Sequence, residues 1–148
     1  MEIDNVQFLL QSGAATLSGL LMGLERKFKG KPAGLKTNML VALGACAFIT
    51  ISLLFKDAGG TDMTRIVGQI VVGVGFLGAG VILHGEDNNK VKGLATAATI
   101  WCSAAAGCLA GFGLYLSLLY FTVFVVMINL VFGYLNRKVK KHADDPDD

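Results

Sequence analysis

Charged residues leave four long gaps in this chain, and the gaps decide what it can fold into. Between Asp4 and Glu25 lie 20 residues without Asp, Glu, Lys or Arg; between Lys36 and Lys56 lie 19, between Arg65 and Glu86 lie 20, and between Lys92 and Arg137 lie 44. A bilayer core of about 30 Å is crossed by roughly 20 apolar residues in a helix. The first three gaps therefore fit one crossing each. As a single helix the last would reach about 66 Å, twice the core, so it holds two crossings. Gly111-Phe112-Gly113 is the place to turn, because glycines are poor helix interior. The composition agrees: 53% of the residues are hydrophobic and 16% charged, against about 25% charged in a soluble domain.

The expected fold is an all-α, polytopic membrane helix bundle with five spans, over residues 6–24, 38–55, 66–83, 94–111 and 114–135. A membrane domain over 1–136 is followed by a basic-acidic tail over 137–148. A β-barrel is excluded, since it needs many alternating strands. With five spans, the 25–36 loop, the 84–92 loop and the tail share one side and carry eleven of the thirteen Lys and Arg residues. With four spans the split falls to seven against six. The positive-inside rule thus favours five spans, with the N-terminus outside and the C-terminus cytoplasmic. The start, Met1-Glu2-Ile3-Asp4, has no basic n-region, so no signal peptide is expected.

A short internal repeat runs through the spans. Gly34-Leu35-Lys36-Thr37 opens the second and Gly93-Leu94-Ala95-Thr96 the fourth, 59 residues apart; at the same offset Ala45 and Ala47 meet Ala104 and Ala106, and Gly19 meets Gly78. Two helical hairpins of like orientation are the expectation. Thr37 and Thr96 stand as candidate N-caps, placing two positive helix ends at the cytoplasmic face.

Span three carries Gly68, Gly73, Gly75, Gly78, Ala79 and Gly80, and span four answers with a stripe of Thr99, Ser103, Gly107 and Gly111. Small residues let membrane helices approach closely, so spans three and four are expected as the central pair, with glycine to spare for a homodimer. Trp101 and the cysteines, Cys46, Cys102 and Cys108, read as packing residues. Three thiols without paired spacing give neither a disulfide framework nor a zinc site.

Glu25 ends the first span beside Arg26, near Lys36 and the two helix ends. Asn38 and Asn129 are amides suited to joining helices. Arg65 and Gln69, four apart, share one helical face, and Gln7 and Gln11 give span one a polar outer face. No phosphate-binding Gly-x-x-x-x-Gly-Lys-[Ser/Thr] loop occurs, no Ser–His–Asp set is visible, and no carboxylate lies deep in a span. No cofactor and no nucleic-acid partner is expected, and no metal-ligating set is assigned.

The stretches Gly23-Leu24-Glu25-Arg26, Pro32 to Gly44, Arg65 to Ile82 with its Gly-Phe-Leu-Gly-Ala-Gly, and Gly93-Leu94-Ala95-Thr96-Ala97-Ala98-Thr99-Ile100-Trp101 resemble the MgtC/SapB family. The resemblance implies a bacterial inner-membrane protein linked to growth at low magnesium and, in pathogens, to survival in host cells. It also implies action on other membrane complexes, notably the ATP synthase, rather than magnesium transport. Longer relatives add a soluble C-terminal domain, whereas this chain stops at Asp148. Ala95 stands where many relatives have a polar residue, and Lys36 where Arg is commoner, which keeps the charge but loses the planar fork.

The expected function is a non-enzymatic membrane regulator. Its functional face is the cytoplasmic motif of Glu25, Arg26, Gly34, Leu35, Lys36, Thr37, Asn38, Thr96 and Thr99. The alternative is a carrier or channel for a cation, magnesium included, or a small solute. The expected partners are the lipid bilayer, a second copy and another membrane protein.

Overall fold

The computed structural model describes residues 4–31, 33–56, 62–84 and 91–143. Five helices follow in order: α1 (Asn5–Phe28), α2 (Leu35–Leu53), α3 (Met63–Val81), α4 (Leu94–Gly111) and α5 (Tyr115–Ala143). Among the described residues, four stretches, Leu35–Leu53, Met63–Val81, Leu94–Gly111 and Tyr115–Phe132, are long and apolar enough to cross a membrane. α1 is the longest of the first four helices and is less apolar, because it carries polar residues such as Gln11 and Ser18 that it buries inside the bundle. The molecule is a helical membrane bundle.

Local chemistry sets the helix ends. Asp4 caps α1 by accepting from the Val6 N–H at 2.9 Å. α1 closes with Gly30 in the left-handed region at φ 59°, where Gly30 N–H donates to Lys27 O and Lys31 N–H to Arg26 O. The same arrangement ends α4: Gly113, at φ 72°, donates to Ala110 O, and Leu114 N–H donates to Leu109 O. The expected turn at 111–113 is therefore real, but only Gly113 makes it. Gly111 stays helical and packs on α2.

The five helices start within three residues of the five expected spans, and the last four carry stretches apolar enough to cross. The one expected at 66–83 gives way to a two-residue antiparallel ladder, Leu83 opposite Lys92 and His84 opposite Val91, that no helical reading foresaw. The boundary drawn at 136 falls inside α5, which continues to Ala143; residues 144–148 and Lys90 lie outside the described residues.

The centre is not the expected pair. α1, α2 and α4 pack together most extensively, α5 lies against α1 and α4, and α3 leans chiefly on α4. Glycines explain the choice. A Cβ on Gly19 would stand 2.5 Å from Asn38 O, one on Gly23 2.8 Å from Leu35 Cα, and one on Gly111 2.7 Å from Ile49 Cβ; one on Gly107 would collide with Ala42 O. These four let the α1, α2 and α4 backbones touch. Among the described residues, a Cβ on Gly68, Gly73, Gly75 or Gly80, expected to pack α3, would have nothing within 4 Å, and one on Gly78 would meet only Ala97 Cβ at 3.6 Å. Val74 is the buried residue of α3, and Ala79 is exposed. The glycine-rich span thus lies at the edge of the chain's own bundle.

The repeat survives this correction and acquires geometry. Gly19 against Asn38 in the first hairpin corresponds, 59 residues on, to Gly78 against Ala97 in the second. Gly23 against Gly34 and Leu35 corresponds to Ile82 against Gly93. α1 meets α2 as α3 meets α4.

Candidate functional site

Polar side chains gather where α1 ends, α2 and α4 begin and α5 passes. Glu25 and Arg26 close α1, and both are at least nine-tenths buried. The Glu25 carboxylate pairs with Lys29 Nζ, one helical turn on. It also lies 3.1 Å from Arg26 Nε. Adjacent residues do not face each other on a helix. That contact is accordingly an ion pair without hydrogen-bond geometry, and among the described residues Glu25 Oε2 and Arg26 Nε have no hydrogen-bond partner. Arg26 Nη2 donates to Asn129 Oδ1 at 2.8 Å, and Lys29 Nζ donates to Asn129 O at 2.8 Å. One carboxylate between two cations therefore ties α1 to α5. Burying such charges is costly, and the arrangement persists only because each charge has a partner.

A second network sits beside it. Asn38, fully buried, donates through Nδ2 to Ala33 O and Gly34 O, each at 2.8 Å. Its Oδ1 accepts from Ser103 Oγ at 2.8 Å. Ser103 Oγ also lies 3.1 Å from Thr99 O and 3.5 Å from Met22 Sδ. A hydroxyl has one proton, so the short contact to Asn38 takes it. Asn38 thereby fixes the turn before α2, where Ala33 sits at φ 56°, and joins α2 to α4.

The structure thus brings together Glu25, Arg26 and Asn129 on one side and Asn38 and Ser103 on the other. Gly34 and Leu35 lie against Gly23 between them. Lys36 is exposed and makes no contact with Glu25, contrary to expectation. Thr37 and Thr96 do not cap: Gly34 and Gly93 occupy those positions, neither with a side-chain cap, and the threonines fall in the first helical turn. Gly93 is required there, since its φ is 96° and any Cβ would strike Val81 O. Thr99 turns its hydroxyl to Ala95 O at 2.8 Å. Arg65 and Gln69 are exposed at the far end of α3. Trp101 is half-exposed on the bundle surface rather than core, and the three cysteines are free thiols.

Two joints escaped the sequence reading. Gln11 is buried: Nε2 donates to Gly111 O at 2.9 Å, latching α1 to α4, while Oε1 lies 3.2 Å from the Thr50 hydroxyl of α2, whose one proton goes to the nearer Cys46 O at 3.0 Å. Ser18 and Thr122 share a 2.7 Å hydrogen bond between α1 and α5. Because Thr122 gives its proton to Leu118 O, Ser18 is the donor. Lys29 was missed as well, although its spacing from Glu25 is that of a helical ion pair. Among the described residues, no three His, Cys, Asp or Glu side chains gather as a metal site.

A family model described as the MgtC family matches residues 13–138. A curated relative named Protein MgtC from Brucella abortus (strain 2308) is 48% identical over 118 residues, 80% of this chain and 48% of the relative. Another of the same name, from Salmonella typhimurium (strain LT2), is 45% identical over 135 residues, 90% of this chain and 56% of the relative. The chain spans about half the length of the curated relatives it matches. No solved structure matches it.

Proposed function

The chain belongs to the MgtC family, and from that premise we propose that it is a non-enzymatic regulatory protein of the bacterial inner membrane. It serves growth at low magnesium and acts on another membrane complex, such as the ATP synthase. Its N-terminus is outside and its C-terminus cytoplasmic, as the distribution of Lys and Arg favours. The acting surface is formed by the exposed Lys27, Lys31 and Lys36 around the ionic layer in which buried Glu25 and Arg26 meet half-buried Lys29 and Asn129. The observation that carries this reading is that the ionic layer lies at one end of a bundle whose middle is closed by glycine, alanine and serine. Charge held that rigidly at a membrane surface suits recognition of a second protein.

The test is complementation. The chain, expressed in a strain lacking its MgtC relative, restores growth in low magnesium. No restoration at normal membrane levels contradicts the proposal. The hairpin repeat favours a second reading, a carrier for a cation or small solute. Purified protein in sealed liposomes decides between the two: the regulatory reading expects tracer flux equal to that of empty vesicles, and the carrier reading expects more. A second copy would pair through Gly75 and Ala79 of α3, which cysteine crosslinking in native membranes checks.

A further inference from the structure

The 59-residue repeat exposes an asymmetry. In the joint between α1 and α4, Gln11 reaches Gly111 O and closes the two helices on each other. The equivalent joint lies between α3 and α2, where Ile70 stands for Gln11 and Ser52 for Gly111. Ile70 has no amide to give, and Ser52 spends its hydroxyl on Ile49 O at 2.7 Å in its own helix. The latch is absent, and α3 stands away from α2. Between them runs a groove of about 780 Å³ lined by both residues.

We propose that this groove is the seat of one phospholipid acyl chain, with the lipid phosphate at the end marked by Arg65. Two observations select that occupant. The walls are aliphatic and aromatic apart from Gln69 and the self-satisfied Ser52, so a polar solute finds little to bond, whereas a methylene chain matches them along the about 23 Å from Leu40 to Phe55. Gln69 and Ile66 line the groove at the start of α3, beside the exposed Arg65. A guanidinium there meets a phosphate by charge-assisted hydrogen bonds.

The experiment is native mass spectrometry of the whole chain, released from nanodiscs of phosphatidylethanolamine and phosphatidylglycerol and stripped with excess detergent. Gly44→Leu and Gly73→Leu fill the groove at positions where an added Cβ meets nothing within 4 Å; Gly68→Leu is equally unhindered but lies outside the lining. The wild type and Gly68→Leu should keep one phospholipid per chain. The two groove variants should lose retention about tenfold or more, and Arg65→Gln should weaken it. Equal retention in all variants, or equal loss in Gly68→Leu, overturns the proposal. So does a wild type that keeps no lipid, or groove variants that keep it while dissociating a dimer, since a second copy would then be the occupant.

Discussion

Asn38 and Ser103, 65 residues apart, meet in the interior through a 2.8 Å hydrogen bond that joins α2 to α4. Asn38 simultaneously holds two backbone carbonyls of the turn before its own helix. Removing the amide therefore strands more than removing the hydroxyl. Ser103→Ala should cost about 0.6 kcal/mol and Asn38→Ala about 1–3 kcal/mol, with a coupling near 0.6 kcal/mol in a double-mutant cycle. Unfolding in detergent–lipid mixtures measures all three. Strict additivity would show that the pair does not bind the helices.

The glycines separate into used and unused. Gly107→Ala drives a methyl into the α2 backbone at Ala42, and overpacking of that kind costs about 1–3 kcal/mol. Gly68→Ala meets open space and should be neutral or stabilising, by up to about 1 kcal/mol of helix propensity. Thermal unfolding of the two purified variants tests the contrast, and equal effects would contradict the packing order described above.

Asn129→Leu removes the acceptor of Arg26 Nη2 and leaves that cation without its α5 partner. The loss is expected at about 1–3 kcal/mol. It should appear as faster hydrogen exchange in the last turn of α1, while amides around Gln11 remain protected by their own joint. Unchanged exchange in that turn would count against the tie.

Asp62 provides a pH test outside the spans. Hydrogen bonds from the Thr64 hydroxyl and N–H hold its carboxyl below the usual carboxylate range. A lowered folded value means that the cap is fully formed above the ordinary carboxylate pKa and is lost as pH falls through the depressed one. Exchange at the Thr64 amide should therefore accelerate beyond its intrinsic rate only in acid. Asp62→Ala should abolish that dependence.

How far the sequence carried is clearest in particular residues. Gaps between charges located the helices because lipid requires an uncharged length, a property of the chain alone. The two Gly-Leu-x-Thr strings marked where α2 and α4 begin, but only the start at 94 was placed correctly; the span drawn from 38 began three residues late, and neither threonine caps, since each glycine took the cap position first. The glycine run of α3 misled. Small residues allow close approach without naming the neighbour, and here Gly19, Gly23, Gly107 and Gly111 found theirs while Gly68, Gly73, Gly75 and Gly80 did not. Gln11 was invisible as a latch because its acceptor, Gly111 O, is a backbone atom 100 residues away. At the candidate site Glu25, Arg26, Asn38 and Asn129 were legible as polar residues in an apolar chain. Their division into two networks depended on which helices touch.

The proposed regulatory role rests most directly on Glu25, whose carboxylate holds Arg26 and Lys29 at one end of the bundle. Growth at low magnesium of a strain lacking its MgtC relative, carrying either the wild-type chain or Glu25→Gln at matched membrane levels, is the deciding measurement. The wild type should restore growth and Glu25→Gln should restore none. Full restoration by Glu25→Gln would contradict it.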